Sequence, residues 1–227
     1  MPPRPSRNLD QALLDAGREL FPARGCAGLA VREVAEKAGV NLGMFHYHFK
    51  SRDAFLRALL QATYEEMFAR LTLEVSRPAD TLSKLRFAMR ALGSFGLANR
   101  RFLARIFADA LTGEAIAREF LRKNLPRHLG VMALLVAQGQ SEGVIVPIPV
   151  PQAIGMAAGS IAMPILVAGG MLDSGALDAT TAAMLQGAVL STDALHQRID
   201  LVLKALTQAA PAAAKPAARP RKSRGKS

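Results

Sequence analysis

The segment "VREVAEKAGVNLGMFHYHF", residues 31–49, constrains this chain more than any other. Val31, Val34, Ala35 and Ala38 fall on one stripe at helical spacing, and Gly39 ends it where a left-handed residue is needed. Asn41 is placed to cap a new helix, because its side-chain oxygen can accept an orphan N–H of the first turn. Two short helices joined by the turn Gly39-Val40-Asn41 predict a helix-turn-helix. An earlier helix is expected from the capping pair Asn8 and Gln11, with Leu9, Leu13, Ala16 and Leu20 as its apolar stripe and Gly25 as its end.

On a helix over Leu42–Phe49, Phe45 and Phe49 share an inward face with His48 at its edge, whereas Gly43, His46 and Tyr47 share the outward face. Glycine inside a helix costs about 1 kcal/mol relative to alanine. An outward Gly43 therefore points to close approach of a partner, and the major groove of DNA admits an α-helix. A metal site fails on geometry. His46 and His48 are two residues apart, about 200° around a helix, and no Cys or acidic cluster completes a ligand set. Ser51 can cap a fourth helix with Asp53 in its first turn. Lys50 and Arg52 flank that N-terminus, where backbone N–H groups and cations together can hold a phosphate.

Leu and Ala dominate the remainder, with two Tyr and no Trp, a composition that predicts an all-α fold. The single Cys26 rules out a disulfide framework within the chain and suits a reducing, cytoplasmic setting. The N-terminus is basic but has no following apolar stretch, so it does not read as a secretory signal. The net charge of +11 is unevenly placed. The last seventeen residues hold Lys215, Arg219, Arg221, Lys222, Arg224 and Lys226 without an acid, and removing those six leaves +5. Four segments are expected: a disordered basic arm (1–7), a helix-turn-helix DNA-binding domain (8–52), a larger helical effector-binding and dimerisation domain (53–208), and a disordered Ala/Pro/Lys/Arg tail (209–227). The tail would add phosphate contacts that do not depend on sequence, and in a rival reading it alone would make the chain an architectural DNA-binding protein.

From Leu13 to Leu60, "LLDAGRELFPARGCAGLAVREVAEKAGVNLGMFHYHFKSRDAFLRALL", the chain resembles the TetR family of bacterial transcriptional regulators in both residue type and spacing. The resemblance implies a homodimer of about nine helices per chain, a variable effector domain and, most often, repression relieved by a small molecule. It carries Asn41, Leu42, Gly43, His46, Tyr47 and His48 onto the recognition helix and its entry. Lys50 and Arg52 fall on the phosphate-contacting start of the next helix, and Arg32 on a second-helix position that can face the operator. Two positions depart from the pattern. Ala30 stands where Thr or Ser usually caps the second helix, and His46 stands where an aromatic is usual. A dimer would place two recognition helices about 34–36 Å apart on an inverted-repeat operator in double-stranded DNA.

From Val144 to Leu172 the chain carries no charge, which is long enough to span a bilayer, and it includes Gly155-x-x-x-Gly159. No Lys or Arg lies between Arg127 and Arg198, so topology-setting flanks are absent and no membrane partner is expected. A helix apolar all round is expected in a dimer interface instead. Gly155, Gly159 and Met163 on it, with Leu195, Ile199 and Leu203 on a last helix, are the candidate interface residues. Phe87, Phe102, Phe107 and Met132 are candidates for an apolar effector pocket, with Arg105 and Asp109 as polar contacts. No phosphate loop, nucleophile–base pattern or ligand cluster is present in the sequence, so neither an enzyme nor a cofactor is expected.

Overall fold

Side-chain caps and glycines set most of the helix boundaries. The computed structural model describes residues 7–207, and over them the chain forms ten α-helices and no strand. They are α1 (Arg7–Gly28), α2 (Val31–Ala38), α3 (Leu42–Phe49), α4 (Arg52–Val75), α5 (Thr81–Ala98), α6 (Arg100–Leu111), α7 (Ala115–Ser141), α8 (Val150–Asp173), α9 (Ala179–Ala188) and α10 (Thr192–Thr207). The fold is all-α as expected, with a helix-turn-helix followed by a larger helical unit. The expected tail lies outside the described residues, as does the arm except for Arg7, which opens α1.

Asn41 accepts the Met44 N–H at 2.9 Å and Ser51 accepts the Ala54 N–H at 3.1 Å, so α3 and α4 begin where the sequence placed their caps. Asp80 and Asp178 do the same for α5 and α9. Gly39 ends α2 at φ 68°, returning its N–H to Ala35 and Glu36. Asn8 is not a cap, because α1 already starts at Arg7, and Gln11 bonds Asp15 instead. Ala30 leaves α2 without a side-chain cap. Glu33, which would have completed a capping box, is instead gripped by Arg24 of α1 at 2.7 and 3.0 Å.

The expected boundary at residue 52 does not divide the core. One apolar cluster joins Leu13, Phe21, Val34, Phe45 and Phe55 to Leu59 and Leu60, then takes in Phe102 and Ile106 of α6 and Ile116 of α7. A second cluster runs from Tyr64 through Met89, Met132, Ile161 and Leu195 to Leu206. α4 is continuous through both, so it transmits displacement from one to the other. In the second cluster α5 passes so close to α10 that a Cβ on Gly93 would stand 2.6 Å from Leu195.

Beside the first cluster, α1 breaks at Gly25 (φ 65°). The freed Cys26 N–H donates to the Asp109 carboxylate of α6 at 2.6 Å, and Arg105 Nε donates to the other carboxylate oxygen at 2.8 Å. The Arg52 guanidinium donates to the carbonyls of Leu29, at 2.8 Å, and Cys26. Arg105 and Asp109 therefore belong to the α1–α6 junction and not to an effector pocket. Arg52 satisfies carbonyls at the end of α1 and is not free to hold a phosphate.

Two outcomes follow from this local chemistry. Ala30→Ser should raise unfolding stability by about 1 kcal/mol in urea denaturation, the usual gain from an N-cap hydroxyl. Burial first, then the hydrogen bond and charge of Asp109, push the Cys26 thiol up to about 12. At pH 8 only about one thiol in ten thousand is then thiolate. A disulfide exchange reagent should accordingly leave the native protein unmodified at pH 8 and titrate one thiol after unfolding.

Candidate DNA interface and ligand cavity

α3 is held by its buried Phe45, whose ring lies 5.1 Å from that of Phe55 on α4. Phe49 adds a second contact to Phe55 at 5.0 Å. This pins the opposite side of α3 to the surface, where Leu42, Gly43, His46 and Tyr47 are exposed, Tyr47 by 75%. Arg32 of α2 and Lys50 are exposed beside them. Lys50 takes φ 56°, the one non-glycine positive φ among the described residues, at the bend from α3 into α4. Such a backbone costs about 1–3 kcal/mol and tends to mark functional segments.

Gly43 has no positive φ, and a Cβ there would meet Asn41 Oδ1, the capping oxygen of α3, at 3.2 Å, with nothing else within 4 Å. A larger residue would crowd that cap by a few tenths of an ångström, while the rest of the space around Gly43 is open. Two expectations change. The His48 side chain is only 5% exposed and pairs with Asp10 on α1, so it braces α3 and cannot reach a base edge. Asn41 uses its carbonyl oxygen as the cap, which leaves only its amide N–H groups for a partner.

A cavity of about 590 Å³ lies among α4, α5, α6, α7 and α8. Phe102, Phe107 and Met132 line it as expected, together with Met67, Met89 and Phe95. Phe87 does not; its ring sits 5.8 Å beneath the Arg77 guanidinium. The polar lining is Thr63, Tyr64, Asn124 and His128. These groups already satisfy one another or the backbone. Thr63 donates to Leu59 O at 3.0 Å, and Tyr64 donates to Asn124 O at 2.8 Å. Burial lowers the His128 pKa, which keeps the ring neutral at pH 7, and burial raises that of Tyr64. The cavity thus suits an apolar body.

α8 is long and apolar enough to cross a membrane by length and composition. Here its Ala153, Ala157, Ile161 and Ile165 are buried in the second cluster, while Gly155, Gly159 and Met163 are exposed and also border the cavity. Leu195, Ile199 and Leu203 of α10 are at most 4% exposed within the protomer. They are core residues and present nothing to a second copy, which corrects half of the expected interface.

The profile of the bacterial regulatory proteins of the tetR family matches residues 13–59, the span of α1 through the first part of α4. The transcriptional regulator YttP of Bacillus subtilis is 22% identical over 156 residues, covering 68% of this chain and 75% of that protein. The transcriptional repressor KstR2 of Mycobacterium tuberculosis is 32% identical over 73 residues, but these cover 32% of this chain and only 36% of the repressor. The crystal structure of FadR from Bacillus subtilis in complex with stearoyl-CoA shares the fold with a TM-score of 0.65, at 19% identity over 86% of this chain and 98% of that one. Residues 13–59 are thus similar to the tetR-family segment of bacterial regulatory proteins, and the chain as a whole shares its helical fold with FadR.

Proposed function

We propose that the chain acts as a cytoplasmic homodimeric repressor, whose paired α3 helices read an inverted repeat and which releases it when an apolar molecule fills the cavity. The observation that carries this reading is the exposed face of α3, where Gly43, His46 and Tyr47 stand together outside the core. In the major groove such a face lets the helix backbone come close while His46 and Tyr47 reach base edges. Arg32 and Lys50, exposed at the flanks, are the phosphate contacts that fix register. Leu42 lies at the entry to the helix, where it can pack on a thymine methyl.

For the dimer, the support is the outer side of α8. Gly155, Ala158, Gly159, Ala162, Met163 and Val167 form an exposed, uncharged stripe that, Val167 apart, also borders the cavity, and α9 beside it buries none of its own residues. Small residues at four-residue spacing allow two helices to approach closely, so a second copy of the same stripe is its complement. For the effector, FadR was crystallised with stearoyl-CoA, a molecule with a long apolar chain, and KstR2 is a ketosteroid transcriptional regulator. The apolar cavity supports the same kind of body here, within the range of about 300–1,000 Å³ common for small-molecule sites.

The basic tail keeps one rival in play, sequence-independent binding. Selection from random duplexes at about 150 mM salt, where the screening length is about 8 Å, separates the two. A two-fold symmetric motif is expected. Retention without any motif would favour the tail. Gly43→Leu should keep the unfolding midpoint within a few degrees and lower affinity for the selected duplex by more than about tenfold, the order of one lost base contact. Unchanged affinity would remove α3 from the interface.

A further inference from the structure

We infer that the effector is an amphiphile with an anionic head, and that the head sits in a second, cationic chamber on the far side of the α4–α7 seam. This rests on the reading of the large cavity as the effector site. A hollow of about 260 Å³ lies against that seam, lined by Arg57 and Gln61 of α4 and by Glu119, Phe120, Lys123 and Asn124 of α7. Phe120 and Asn124 also line the large cavity, so the two spaces share a wall made of these side chains. The chambers are chemically opposite. In the large one Thr63 and Tyr64 have their hydroxyl donors committed to backbone carbonyls and no ionised group is present, so a carboxylate or phosphate entering it would lose its hydration without a partner.

The small chamber can take that charge. Its acids are engaged: Glu119 by Arg57 at 3.2 Å, and the neighbouring Glu65 by Arg127 at 2.6 Å. Arg127 is further fixed with its guanidinium 4.2 Å from the Phe68 ring centre. Lys123 makes no ion pair among the described residues, which leaves a net positive charge facing the hollow. At the wall, Asn124 and Gln61 exchange hydrogen bonds at 3.2 Å in both directions across the seam, a pairing that can open toward a ligand's polar junction. Phe120 is only partly buried, so its ring can turn aside to let a chain pass from one chamber to the other. An occupant of both chambers would lie between α7 and α4, the helix whose first turn follows α3.

Binding of three probes to the full-length protein, followed by calorimetry below their aggregation limits, tests this. Dodecanol, laurate and lauroyl-coenzyme A carry the same apolar chain with no charge, a carboxylate, or a phosphorylated carrier. At least one anionic probe should bind about tenfold or more tighter than dodecanol, as charge-assisted contacts require. Whichever anion leads names the source of the head. Lys123→Glu should erase that advantage and leave dodecanol affinity unchanged. Equal affinities in the parent protein would overturn the anionic head, and an advantage that survives Lys123→Glu would overturn its assignment to this chamber. Failure of dodecanol itself to bind would overturn the underlying reading of the large cavity.

Discussion

A buried carboxylate on α6 organises this molecule. Asp109 holds the backbone of α1 where it breaks at Gly25, and Arg105 neutralises it from one helical turn away. Removing Arg105 would leave the buried Asp109 carboxylate without its counter-ion, typically a loss of about 3–5 kcal/mol. The junction ties α6 to α1 through the Asp109 carboxylate, which accepts both hydrogen bonds. The other side of α6 turns Phe102 and Phe107 to the ligand cavity. One helix thus bears on both the cavity and the helix-turn-helix, and α4, continuous between the two apolar clusters, is the second such element.

The DNA-binding unit was legible in the sequence because its signals are local. Asn41 and Ser51 cap the turns that follow them, Gly39 takes the left-handed backbone its position implied, and Phe45 and Phe49 sit one turn apart on the side that packs against α4. What failed was whatever depended on partners far along the chain. His48 lies at the edge of the inward face, and only Asp10 on α1 decides that it turns in. Arg52 looked like a phosphate ligand because nothing near it in sequence foretells the open carbonyls of Cys26 and Leu29.

The effector and dimer residues show the same division. Periodicity gives the apolar stripe of a helix but not its counterpart. The stripe of Leu195, Ile199 and Leu203 on α10 faces its own core, where it meets α5 and α8. α8 is apolar on both sides, yet Gly155-x-x-x-Gly159 marks in the sequence the side that stays exposed. Arg105 and Asp109 share a helix with the cavity-lining Phe102 and Phe107 but point to α1. Thr63, Tyr64 and Asn124 converge on the cavity from α4 and α7, separated by sixty residues that sequence spacing does not bridge.

The account reduces to a coupling between two sites, and coupling is reciprocal: a ligand that weakens DNA binding must itself bind more weakly to the DNA-bound protein, commonly by about 5–150-fold. The direct measurement is the dissociation constant of an apolar cavity probe such as dodecanol, determined on the free protein and again on the protein saturated with its selected duplex. The account predicts clearly weaker binding to the complex, by the same factor that saturating probe lowers duplex affinity. Equal affinity in the two states would mean that α6 and α4 carry no message from the cavity to α3.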